Sequence, residues 1–238
     1  MKKGTVVILH GWGLSAEKFR ETKRTFESNG FVVYVPDLPG FGKSTPPDRA
    51  YHLSDYSEFL ERYLSDNHIQ KPIVIGHSFG GRVALCFTAT HPDFVKQLIL
   101  TGTPGFTPVP RMRLQLFIGL AKLGKYIFSL PLLSGMGQNV KNWYYYTVGA
   151  REYTRAQGYM KETFKNVVNE RLDTYMDRIS IPCLLAWGEK DSITPLGIAR
   201  RMIQHIQGAE LIVIPDTDHG VSYKEPKIFF MSVSRYLL

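Results

Sequence analysis

Short apolar runs recur along the chain, each closed off by turn residues. They occupy residues 6–9, 31–35, 73–75, 98–101, 183–186 and 211–214. None alternates with polar positions, so each predicts a strand covered on both faces of a sheet. Between these runs the spacing of apolar residues changes to three and four. Tyr56, Phe59, Leu60, Tyr63 and Leu64 share one face of a helix expected over residues 54–65. Val83, Ala84 and Phe87 mark a second helix over 81–90, and Ile198, Met202 and Ile206 a third over 195–206. Strands alternating with helices predict an α/β fold: a mostly parallel sheet of about six strands with helices on both faces.

The alternation stops between residues 101 and 183, a gap far longer than one crossover helix needs. The gap opens on the Pro/Gly stretch TGTPGFTPVP and continues with a helical pattern over 111–126 and an aromatic cluster over 142–146. The expected organisation is a core of residues 1–103 and 179–238, with a helical insertion of residues 104–178 over one end of the sheet. There is no internal repeat and no low-complexity tract.

Composition narrows the class. The chain has 238 residues, 44% apolar and 21% charged, enough for one well-buried core plus an insertion. No apolar run approaches the ~18 residues of a membrane span. Lys2 and Lys3 precede an apolar run of only four residues with no cleavage site, so export is not expected and a cytoplasmic location is. Cys86 and Cys183 sit far apart among apolar neighbours and read as buried free thiols in a reducing compartment. No His/Cys spacing suits zinc and no glycine-rich loop ends in Lys-Ser/Thr, so neither a metal nor a cofactor is expected. The net charge is +8, and residues 104–178 carry 11 Lys/Arg against 5 Asp/Glu, most of that excess. The surplus lies in an apolar segment without a basic run, which argues against nucleic acid.

Candidate chemistry centres on Gly76-His77-Ser78-Phe79-Gly80. A strand runs straight into this G-x-S-x-G sequence and a helix follows it, the context in which such a Ser is held above the sheet as a nucleophile. A Ser needs a base. His219 lies in the loop after the last predicted strand, at the sheet edge where Ser78 is expected. His77 is expected to pack locally and His10 to brace its loop, whereas His52, His68, His91 and His205 read as solvated surface. A carboxylate should fix the imidazole tautomer. Asp191, just after the strand at 183–186, is the first choice; Glu189, Asp216 and Asp218 are the lesser candidates. Oxyanion donors are expected from the backbone N–H of Phe79 and, in the loop His10-Gly11-Trp12-Gly13, from that of Trp12.

Five ordered motifs carry a resemblance across nearly the whole core: LHGWG (9–13), DLPGFGKS (37–44), IGHSFGG (75–81), WGEKDSITP (187–195) and DTDHG (216–220). Together they resemble the α/β-hydrolase superfamily. The resemblance implies a capped α/β-hydrolase fold with residues 104–178 in the position of the helical cap. It carries the triad roles onto Ser78, Asp191 and His219, in that chain order, and the oxyanion hole onto Trp12 and Phe79. Two departures stand out. The chain opens almost at the first strand, so the family's N-terminal hairpin is expected to be missing, leaving six strands, all parallel. Asp218 stands before the His, where a small residue is more usual. Ser at the elbow disfavours the relatives that open epoxides or remove halides with an Asp nucleophile. It favours acyl transfer to water. Carboxylic-ester hydrolysis is the leading expectation, with C–C bond hydrolysis or acyl transfer as the alternative, and a non-catalytic ligand sensor as the reading from another class.

The segment expected to form the cap is at once basic, apolar and aromatic. One reading is a helix pair with a solvated basic face. A sharper one has Phe117, Trp143 and Tyr144 walling an acyl pocket, with the basic residues drawing an anionic substrate or making transient contact with anionic lipid. The expected partner is a small-molecule ester or acyl compound; oligomeric state is left open.

Overall fold

A computed structural model of the protein describes residues 3–106 and 158–237. Six strands are present: β1 (Gly4–Leu9), β2 (Phe31–Tyr34), β3 (Ile73–His77), β4 (Gln97–Thr101), β5 (Cys183–Gly188) and β6 (Glu210–Ile214). All neighbours pair in parallel, in the order β2-β1-β3-β4-β5-β6. The helices are α1 (Arg20–Ser28), α2 (Leu53–Asp66), α3 (Phe79–Thr90), α4 (Tyr159–Asn169), α5 (Asp173–Met176), α6 (Leu196–Met202), α7 (Val221–Lys224) and α8 (Pro226–Ser234).

The unbroken apolar runs are explained by two cores, one on each face. Along β1, Val7 and Leu9 join α2, α3, α5 and α6 in one cluster, while Val6 and Ile8 join α1, α7 and α8 in the other. Successive side chains of a strand point to opposite faces, so a strand with cover on both sides is apolar at every position. The four inner strands obey this. The run at 211–214 does not: β6 is an edge strand and Val213 is 39% exposed, so the expectation of cover on both faces fails there. Hydrophobic content alone does not distinguish an edge from a centre. His91 also departs from its expected place on the surface; it is half-buried, stacked on Phe87 with ring centroids 5.0 Å apart.

Residues 158–178, which sequence places in the insertion, belong to the same compact unit as the sheet. Val167 of α4 and Leu172 and Met176 around α5 lie in the first core cluster. The attachment is polar as well. Arg82, on α3 and only 2% exposed, donates from Nη1 to the Pro104 carbonyl (2.7 Å) and from Nη2 to those of Val167 (2.6 Å) and Glu170 (2.8 Å). Burial pulls its pKa down to about 10. Glu170 in turn accepts from the Leu53 N–H (3.2 Å) and the Tyr175 hydroxyl (2.7 Å). Cys86 and Cys183 are buried, unpaired thiols, pushed by burial to about 11 and about 12. Among the described residues no helix is long and apolar enough to cross a membrane.

Arg82→Met should destabilise the fold by about 2–4 kcal/mol, because three main-chain carbonyls, one of them buried, lose a charged donor. The urea midpoint measures this, and a loss below about 0.5 kcal/mol would show the carbonyls are satisfied in another way.

Candidate active site

The strand order reverses direction between β1 and β3: β1 leads outward to β2, then the chain returns to β3 on the other side. Such a switch point opens a crevice at the carboxyl ends of the strands. The loop after β1 and the turn after β3 meet there.

Ser78 is the hinge of the second turn. Its backbone sits at φ +52°, ψ −115°, a left-handed region that costs a non-glycine residue about 1–3 kcal/mol. Its N–H donates to the Thr101 carbonyl at the end of β4 (2.9 Å). The flanking glycines make the turn possible. A Cβ on Gly80 would lie 2.2 Å from the Leu9 carbonyl oxygen, and one on Gly76 would lie 2.5 Å from Gly81 Cα. Ser78 is half-buried, at the N-terminus of the 12-residue helix α3.

His219 follows β6 and Asp191 follows β5. His219 Nδ1 lies 2.9 Å from Asp191 Oδ2. The carboxylate is almost wholly enclosed, its side chain 1% exposed. Its Oδ1 accepts the N–H groups of Ile193 (2.9 Å) and Thr194 (2.8 Å), and Oδ2 also accepts the Thr194 hydroxyl (2.7 Å). Burial pushes the Asp191 pKa up, but the bonds from His219 and Thr194 outweigh it, and the carboxyl stays below its ordinary value. The other candidate acids are engaged elsewhere. Asp218 caps the Gly220 N–H (2.7 Å) and pairs with Lys224; Asp216 pairs with Lys190 (2.7 Å); Glu189 accepts the Asp216 N–H (3.1 Å). Of the four, Asp191 is the one bonded to the imidazole.

The end of β4 borders both halves of the site. Thr101 holds the Ser78 N–H, and the next residue, Gly102, lies so close to His219 that a Cβ there would stand 2.8 Å from Nδ1. The Ser78 hydroxyl makes no hydrogen bond among the described residues; in unliganded sites such bonds are often long and tighten on binding.

Trp12 sits in a turn closed by Leu14 N–H to Gly11 O (3.1 Å), with Gly13 at φ +72°. Its ring meets those of Phe79 (5.2 Å), Phe41 (4.9 Å) and Phe164 (5.0 Å). The N–H groups of Trp12 and Phe79 donate to no backbone carbonyl among the described residues. His10 is fully buried and braces this loop as expected. The Leu38 N–H donates to its Nε2 (3.0 Å), so Nε2 carries no proton and Nδ1–H donates to Gly11 O (2.9 Å). His77 is buried among Phe19, Tyr223 and His219, its ring 4.9 Å from that of His219. Asp37 pins the 37–44 loop by accepting the N–H groups of Ala16 (2.7 Å) and Lys43 (2.9 Å). Thr194 was not singled out by sequence; an Asp with a Thr three residues on, just before a Pro and a helix, was the available signal. Phe117, Trp143 and Tyr144 lie outside the described residues.

With this geometry in hand, comparison with known proteins fixes the class. The family described as alpha/beta hydrolase fold matches residues 4–129, more than half the chain, and the chain belongs to it. The family described as TAP-like protein matches residues 161–238. Among curated relatives, a 2-hydroxy-6-oxononadienedioate/2-hydroxy-6-oxononatrienedioate hydrolase of Klebsiella pneumoniae subsp. pneumoniae is 26% identical, covering 99% of this chain and 87% of the relative. Among solved structures, an esterase from Exiguobacterium antarcticum superposes with a TM-score of 0.75 at 21% identity, covering 99% of this chain and 92% of that one. A bromoperoxidase from Bacillus anthracis gives 0.75 at 18% identity, covering 99% and 92%. The protein is an α/β-hydrolase enzyme.

Ser78→Gly should stabilise the fold by about 1 kcal/mol, since glycine adopts φ +52° without strain; an unchanged or lower thermal midpoint would contradict the strain. His10 and His77 are both held below the ordinary histidine pKa, burial being the main cause. The folded state therefore binds fewer protons than the unfolded one. The stabilisation is complete above about pH 6.5 and is lost as pH falls below it, by up to about 1.4 kcal/mol per unit for each group. Urea midpoints at pH 7.5 and 5.5 measure this, and His77→Asn should flatten the slope.

Proposed function

We propose that the chain hydrolyses a carboxylic ester through an acyl-enzyme, with Ser78 as nucleophile, His219 as base and Asp191 as its orienting acid. The observation that carries this reading is the bond between Asp191 Oδ2 and His219 Nδ1 at 2.9 Å. It commits Nδ1–H to the carboxylate and leaves Nε2 as the proton acceptor. Ser78 Oγ attacks the acyl carbon while Nε2 takes its proton. The N–H groups of Trp12 and Phe79 receive the charge that develops on oxygen. Collapse breaks the ester C–O bond, and the alcohol leaves with the proton from Nε2. Water then attacks the acyl-enzyme, giving its proton to Nε2, and the acid departs as Ser78 recovers its own.

The same residues suit cleavage of an activated C–C bond, and the Klebsiella relative, named for a dienedioate, favours this second reading. Arg82 is a poor holder of such a substrate's carboxylates, because it is 2% exposed and turns both Nη atoms to main-chain carbonyls. The basic residues of 104–178 are the better source, in the role of a cap that contributes Phe117, Trp143 and Tyr144 to an acyl pocket. The two buried, unpaired thiols support a cytoplasmic setting.

Assay on p-nitrophenyl esters of graded length, beside a chromophoric ring-fission dienoate, separates the two readings. Ser78→Ala should lower kcat by about 10³-fold or more and abolish fluorophosphonate labelling. Asp191→Asn should lower kcat by about 10²–10⁴-fold and Asp218→Asn by no more than about threefold. Labelling that survives Ser78→Ala would sink the nucleophile assignment.

A further inference from the structure

Thr194 has three bonds that converge on the same small volume. Its N–H donates to Asp191 Oδ1 (2.8 Å), its hydroxyl donates to Asp191 Oδ2 (2.7 Å), and its carbonyl accepts from Trp187 Nε1 (2.7 Å). The hydroxyl oxygen also stands 3.2 Å from His219 Nδ1. Its proton is committed to Oδ2, so its lone pairs face the imidazole. The Nδ1–H thus lies between two acceptors, one charged and one neutral. Thr194 is 3% exposed, so these bonds are shielded from bulk solvent.

We propose that Thr194 is a positioning residue: its hydroxyl, shared between Asp191 Oδ2 and His219 Nδ1, fixes the ring's rotation and weakens the carboxylate's hold on the imidazolium. This rests on the triad reading above. The reasoning is electrostatic. Each donor on Oδ2 drains charge from that oxygen, and in a low-dielectric enclosure the loss is felt by the neighbouring imidazolium. Without the hydroxyl, Oδ2 faces the ring with more charge and the ring gains a rotational freedom. The other titratable groups around His219 do not take over this task. His77 is buried and neutral, Tyr223 lies beyond it, and Asp218 is matched by Lys224.

The side chain can be tested separately from the backbone. Thr194→Val is nearly isosteric and keeps the main-chain bonds to Asp191 Oδ1 and Trp187. A series of Thr, Ser, Cys and Val at this position grades the donor from strong to absent. On a p-nitrophenyl ester, Thr194→Val should lower kcat about tenfold, with KM within about twofold. The acidic limb of its kcat/KM profile should move up by about half a pH unit. Thr194→Ser should restore both quantities and Thr194→Cys should fall between. A flat series in limb and kcat, with Ser78→Ala inactive, overturns the role of Thr194 and leaves the triad intact. Activity that survives Ser78→Ala or His219→Ala overturns the triad itself. Should the Val protein not fold, the Ser and Cys proteins carry the same comparison, and equal profiles for the two overturn the proposal.

Discussion

The site depends on one backbone constraint: a serine held in the left-handed region between a strand and a helix. The constraint is imposed from three directions. Thr101 of β4 binds the Ser78 N–H, the Leu9 carbonyl of β1 lies against Gly80, and α3 begins at the next residue. Each contact comes from a central element of the sheet, so the strain is balanced by the best-packed part of the molecule. The same tightness brings the loop of Trp12 beside Phe79, and the end of β4 beside His219. One turn thereby sets the relation between Ser78, the N–H groups of Trp12 and Phe79, and His219.

Around this turn, charge is handled in two contrasting ways. His10 and His77 are kept neutral by burial, and each serves as a shaped, polar piece of packing. Asp191 is just as enclosed but keeps its charge, because donors occupy both oxygens. The difference lies in donor count, not depth. A buried carboxylate with four donors is stable as an anion, whereas a buried imidazole with no carboxylate bonded to it to offset its desolvation is not readily protonated.

Much of this was legible in the sequence. The inner strands were readable because cover on both faces forces every position to be apolar. The edge status of β6 was not, since pairing partners are a property of topology. Helix α1 has Phe26 as its one large apolar residue and buries Thr22 beside it, so its periodicity is faint. Helix α8 has the opposite fault: Ile228, Phe229, Phe230 and Met231 run together and show no polar face. Ser78 and His219 stand out in the sequence because each sits in a short motif at a strand end. The choice of Asp191 over Asp218 was an argument about reach, and the structure adds its physical basis in the lysine that Asp218 faces. Arg82 and Thr194 left little trace. A lone arginine on a helix and a lone threonine in a loop are ordinary until tertiary contacts give them partners.

Arg82 carries a further meaning for how such an enzyme can diverge. Its guanidinium grips the chain at Pro104, after β4, and again at Val167 and Glu170, at the end of α4. Both grips are to carbonyl oxygens, which every residue possesses. The joint is therefore indifferent to side-chain identity on either stem. A change of side chain at any of these three positions leaves the acceptor oxygen in place for the helix that begins after Ser78. A single buried cation thus ties two stretches of chain, far apart in sequence, to one helix through main-chain atoms alone.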